Sequence, residues 1–263
     1  MRAKFTRLVA THYIVVVRSF LAALGLIAIW WGIIGLPVFW RDSSLERIAA
    51  KVIAGDPFKG ATLNRQLPLM GKIERSSYCH PAALRSAAII HLRMLEADAL
   101  VNHGGLDNDE LKSLDEVIRS SLSCAPADPF LWLVRYWVES EENGYKSDYL
   151  KYLRMSYRLG PNEGWIALKR NPVVVSVLVT LPPDLVNNAL GEFTGLVDNG
   201  FSNEAVNILV GPGWSVKDRL LGRLNEVKQV NRQRFVRLLN ERGYDVSDLR
   251  IIRSDVRPGR ADR

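Results

Sequence analysis

The sequence predicts an all-α protein carried by one N-terminal transmembrane helix, and three observations point to it. Residues 19–40, SFLAALGLIAIWWGIIGLPVFW, hold no charge, and only the first of them is polar. At about 1.5 Å per residue, a helix of this length spans roughly 33 Å, enough for a bilayer core. From Pro81 onward, apolar residues recur at spacings of three and four between Gly and Pro stop signals, the pattern of amphipathic helices. Only residues 173–181, VVVSVLVTL, look strand-like. No second run of that kind exists to pair with them, and a lone strand leaves its ladder unpaired, so this run reads as a buried helix.

The order of segments follows from the anchor. Residues 1–18 form a short N-terminal segment, 19–40 the membrane helix, 41–80 a neck, 81–248 a helical domain, and 249–263 a basic tail. A cleaved signal peptide would have a shorter apolar core and a small-residue cleavage site. Here the apolar run closes on Leu36, Pro37, Val38, Phe39 and Trp40. Arg2, Lys4, Arg7 and Arg18 precede the span without an acid among them, whereas Arg41, Asp42, Glu46 and Arg47 cancel after it. Lys and Arg are retained on the cytoplasmic side. The expected placement is therefore a bacterial inner membrane, with the N-terminus in the cytoplasm and residues 41–263 in the periplasm. Tyr13 and Trp40 would sit at the two interfaces. Within the span, Ala22, Gly25, Ala28, Gly32 and Gly35 share one face. Small residues in such a stripe let a second membrane helix approach closely, so a homo-oligomer or a larger membrane partner is expected there.

Net charge is +7, and the first 18 residues hold +4 of it. A nucleic-acid partner needs a clustered basic patch on the folded part, which the remaining +3 does not supply. The Arg residues at 250, 253, 257, 260 and 263 are interrupted by Asp255, Pro258, Gly259 and Asp262. They read as a frayed, solvated tail, with contact to anionic lipid or polysaccharide as the alternative.

The helices are read in order. Leu45, Ile48, Ala49, Val52 and Ile53 make one face of a short helix over residues 43–54, stopped by Gly55-Asp56-Pro57. Pro81–Asn102 opens on a proline. Residues 109–123 follow, with Leu111, Leu114, Ile118 and Leu122 in phase. Pro129–Asn143 stops at Gly144, and residues 148–159 stop at Gly160-Pro161. Residues 183–199 stop at Gly200, and Ser202–Val210 stops at Gly211-Pro212-Gly213. Residues 215–227 open with a Ser cap and Asp218 three positions on. Residues 230–242 stop at Gly243. Short loops between them favour antiparallel neighbours.

Ser121, Pro126, Asp128 and Phe130 recur 35 residues later as Ser156, Pro161, Glu163 and Trp165. This resembles a divergent tetratricopeptide-type (TPR-like) repeat, with a small residue on the second helix and a Pro just past its end. The resemblance implies stacked helical hairpins. The stretch Leu131-Trp132-Leu133-Val134-Arg135-Tyr136 departs from that family's first-helix pattern. The stretch RLGPNEGWIALKR (residues 158–170), together with the anchor, resembles membrane-anchored proteins that accompany bacterial exopolysaccharide or O-antigen gene clusters. That resemblance implies a role in envelope polysaccharide assembly.

Catalytic chemistry has little to stand on. His80, His91 and His103 are 11 and 12 residues apart, not the three or four that place two metal ligands on one helix face. No metalloprotease, nucleophile-elbow, phosphate-loop or dinucleotide motif occurs. Glu139, Glu141 and Glu142 read as a solvated helix end. No cofactor and no enzymatic activity are expected. Trp132, Tyr136, Trp137 and Trp165 belong to a crowd of aromatics that either fills the space between hairpins or lines a ligand-binding face. Cys79 and Cys124 are the only cysteines, and two outside the cytoplasm suggest one bridge. The ends of an antiparallel hairpin would bring them together. The leading expectation is a membrane-anchored scaffold that docks a partner protein along a groove. A carbohydrate-binding module built on the aromatics is the alternative, and an enzyme of unrecognised type comes last.

Overall fold

The computed structural model describes residues 2–56, 58, 60–76, 79–102 and 108–244. Every element among them is helical, with no strand. The tail at 249–263 and His103 lie outside the described residues. The chain divides into two compact units, Met1–Cys124 and Ala125–Arg263.

The first unit begins with α1 (Arg2–Ala54) and continues with α2 (Gly60–Asn64), α3 (Leu67–Glu74), α4 (Pro81–Asn102) and α5 (Asn108–Cys124). Two expectations change here. The helix anticipated over residues 43–54 is not separate. It is the C-terminal part of α1, which runs unbroken through Pro37, where one backbone hydrogen bond is forgone. Nor do residues 41–80 form a neck apart from the domain. The face seen in the sequence packs on α4 and buries Leu45 and Ala49, while Leu63, Met70 and Ile73 of α2 and α3 are buried in the same unit. Burying a Leu- or Met-sized side chain contributes about 1.5–3 kcal/mol, so this segment belongs to the core. From α4, Leu84, Ala87, Ile90 and Leu95 face inward; α5 adds Leu111, Leu114, Ile118 and Leu122. Cys79, just before α4, is disulfide-bonded to Cys124 at the end of α5, with Cα atoms 5.7 Å apart.

Within α1, Val16–Gly35 is long and apolar enough to cross a membrane, and its side chains are exposed. The small residues expected to form a packing stripe stand open. A Cβ added to Gly25, Gly32 or Gly35 would meet nothing within 4 Å.

The second unit contains α6 (Pro129–Asn143), α7 (Leu150–Leu159), α8 (Gly164–Ser176), α9 (Pro183–Asp198), α10 (Ser202–Val210), α11 (Lys217–Leu221) and α12 (Gln229–Glu241). α6 packs on α7 and α8 on α9, while α10 and α12 both close on α9. Asp128 caps α6 by accepting from the Phe130 and Leu131 amides at 2.9 and 3.2 Å, and Pro129 supplies a preset first turn. Gly144, Gly200 and Gly243 end their helices at positive φ, where other residues would be strained. The core runs through Leu153, Ile166, Val174, Leu185, Ala189, Leu209 and Leu239, all buried. Phe193 and Phe235 meet edge to face, with ring centroids 5.9 Å apart.

Two further expectations are adjusted. Residues 173–181 are helical but not a helix of their own: α8 passes through Pro172 to Ser176, and a 3₁₀ turn covers Leu178–Thr180. Residues 215–227 break into a 3₁₀ turn, the five-residue α11 and a second 3₁₀ turn. No side chain caps α11, so the expected Ser215 box does not form.

Candidate functional site

The aromatic residues do not assemble into one exposed face. Tyr136 is buried, only 2% exposed, and burial raises its pKa; it therefore lines no ligand surface. Trp132 is half-buried and donates Nε1–H to the Pro126 carbonyl at 2.8 Å. Its ring stacks on Tyr152, whose other neighbour in the stack is Tyr149; centroid distances are 5.8 and 6.4 Å. Arg135 and Lys151 lie 4.5 and 5.0 Å from the Tyr152 ring. Most of these ring faces are occupied by one another or by cations. Trp165 packs against Phe130 at 5.2 Å and donates to Glu163 at 3.1 Å. Trp137 is half-buried. His91 lies 3.2 Å from Glu74, and no group of three potential metal ligands occurs among the described residues.

A concave feature of the second unit lies elsewhere. A groove of about 980 Å³ runs between α7, the start of α8 and α9. Arg154 and Arg158 enter it from α7, Asn162 from the α7–α8 loop, and Asn188, Gly191, Glu192, Gly195 and Asn199 from the region of α9. Gly191 and Gly195 lie inside α9, and an added Cβ would meet nothing within 4 Å at either position. The groove therefore runs against bare helix backbone there.

Beneath it lies a buried polar cluster. Arg170 is fully buried. It donates to Glu192 Oε1 through Nη2 at 2.6 Å and Nε at 3.0 Å, to Ser156 Oγ at 3.0 Å and to the Gly160 carbonyl at 2.9 Å. Its guanidinium stacks over Tyr157, 4.0 Å from the ring centroid. Ser156 donates in turn to the Pro129 carbonyl at 2.7 Å, which ties α7 to the start of α6. Gly160 allows that approach, because a Cβ there would fall 2.8 Å from Pro129 side-chain atoms. Glu192 Oε2 accepts from Tyr157 at 3.2 Å and from Asn171 at 3.4 Å.

Burial pushes the Glu192 carboxyl upward, with Arg170 pulling the other way. Burial, reinforced by Glu192, pushes the Tyr157 hydroxyl well up. On the rim, Arg154 makes a two-pronged contact with Asp184 at 2.7 and 3.3 Å. That contact holds the Asp184 carboxyl below its usual range.

This arrangement is suited to binding. A carboxylate has about four lone-pair sites, and Glu192 already accepts four hydrogen bonds, so it has no site left for a substrate proton. Of the groove residues, the sequence marks Tyr157 as one of the crowded aromatics and Arg158, Pro161, Asn162, Gly164 and Ala167 as part of the resemblance over 158–170. Glu192, Asn188 and the two glycines carried no motif. The available signal was an Arg-Asn pair inside the apolar run from Ile166 to Val175, which calls for a buried acid elsewhere.

Comparison with known proteins finds no family model that matches the chain, no matching curated protein and no matching solved structure.

Proposed function

We propose that this protein is a membrane-anchored, non-enzymatic adaptor whose second unit docks a segment of a partner protein in the α7–α9 groove. One observation carries the reading: the groove is roomy, is lined by guanidinium and carboxamide groups, and rests on a polar cluster with no reactive group to spare. The helix pairs α6–α7 and α8–α9 fit stacked hairpins of the tetratricopeptide kind, which offer concave docking faces. The apolar span and the disulfide fit an N-in anchor with both units in an oxidising compartment. The resemblance to proteins of exopolysaccharide and O-antigen clusters makes envelope polysaccharide assembly the setting in which to seek the partner.

The test is site-specific photo-crosslinking in membranes. A photoreactive residue at Asn188 should give a discrete protein adduct, and one at the exposed Arg234 of α12 should not. Adding Gly191→Leu, which fills the groove, should abolish the adduct. Equal adducts from both positions, or an adduct indifferent to Gly191→Leu, would remove the groove from the account.

A further inference from the structure

We infer that the occupant of the groove is an extended internal peptide segment bearing an Asp or Glu side chain, with that carboxylate taken by Arg158. The inference rests on the groove being the docking site.

Charge selects the occupant. Two arginines line the groove. Arg154 is already joined to Asp184. Arg158 is exposed; its Nη2 donates to Met155 Sδ at 3.0 Å, and among the described residues no carboxylate pairs with it. The acid lining the groove, Glu192, is joined to Arg170 at 2.6 Å. A basic segment would therefore find no free carboxylate, whereas an acidic one finds a guanidinium whose planar fork matches it.

The main chain of the occupant has partners as well. Asn162 and Asn188 line the groove, and each carboxamide offers the donor and acceptor of a peptide group. Between Asn188 and Asn199 the wall is bare backbone at Gly191 and Gly195. Those asparagines are 11 positions apart, about 16 Å along a helix and roughly the length of five extended residues. A sugar chain fits less well, because sugar recognition uses an open ring face. Of the rings lining the groove, Tyr157 is buried and Phe201 packs beside Gly164, its ring 3.5 Å from where a Cβ would stand.

The test uses the full chain in neutral-lipid nanodiscs and fluorescence anisotropy. The probes are three fluorescein-labelled octapeptide pools with amidated C-termini, carrying two Asp/Glu, two Gln or two Lys among neutral residues. The acidic pool should bind at least tenfold more tightly than the other two, and its binding should weaken with salt. Arg158→Gln should cut that binding tenfold or more with the melting temperature unchanged. Gly191→Leu should abolish binding of every pool. If the Gln pool matches the acidic pool while Gly191→Leu still blocks both, the carboxylate preference is wrong and the groove stands. If binding ignores Gly191→Leu, the docking site itself is wrong. If an oligogalacturonate binds in an Arg158-dependent way and the acidic pool does not, the occupant is an acidic glycan and the inference fails.

Discussion

Arg170 joins three helices through one side chain, and a buried guanidinium is tolerable only with its counter-charge in place. Glu192→Leu removes that charge and leaves the cation inside. The expected cost is about 3–5 kcal/mol, read by denaturant titration of the detergent-solubilised protein. Combined with Arg170→Met, the two changes should fall short of additivity by about 1–3 kcal/mol; strict additivity would mean the two side chains do not act as a pair. Asp184 works on a smaller scale and at acid pH. Its carboxyl is held down chiefly by the hydrogen bond from Arg154. The stabilisation is thus present above the unfolded-state value of about 3.9 and fades as pH falls through the lower folded-state value. On an exposed rim it amounts to less than about 1 kcal/mol. Asp184→Asn should flatten the stability profile below about pH 4 and leave neutral stability nearly unchanged. At this scale, the disulfide was legible from two cysteines at the ends of a hairpin. Glu192 was not: its partner lies 22 residues away, and only tertiary packing brings such a pair together.

Helix α9 has two glycines where its own packing asks for none. Gly in a helix interior costs about 0.5–1 kcal/mol relative to Ala. Gly191→Ala and Gly195→Ala should therefore each raise stability by that amount in thermal denaturation. A loss instead would mean the neighbouring helices need the space. The disulfide constrains another pair of elements. It closes a loop with a sequence separation of 45, so Cys79→Ser with Cys124→Ser should destabilise the first unit by up to about 4 kcal/mol on the chain-entropy model. The check is a lower denaturation midpoint for that variant, reproduced in the unaltered protein by reductant. Most second-unit elements could be read because their ends are chemically marked, as by Asp128-Pro129 and Gly144. Residues 215–227 could not, because no strong cap or apolar stripe there outweighs the bends around Gly213 and Gly222. The start of the first unit was misread because the charges at Arg41 and Asp42 mark the end of the apolar run, whereas the helix continues past them to Ala54.

Composition marks the apolar span, but nothing in it marks that Leu45, Ala49, Leu63, Met70 and Ile73 are buried in helices that pack on α4, which is a fact of long-range packing. The expected membrane topology is checked by enzyme-reporter fusions and cysteine labelling. Position 3 should be cytoplasmic and position 245 outside, and a reporter at 245 active in the cytoplasm would reverse the assignment. The unbroken course of α1 has a mechanical meaning. Five residues separate the end of the apolar run at Trp40 from buried Leu45, about 7.5 Å of helix. In a bilayer, the first unit would ride on a stiff post and not swing on a string. Its height above the lipid and its heading would be set by the tilt and spin of the post, so a torque applied inside the membrane would turn the whole unit like a key.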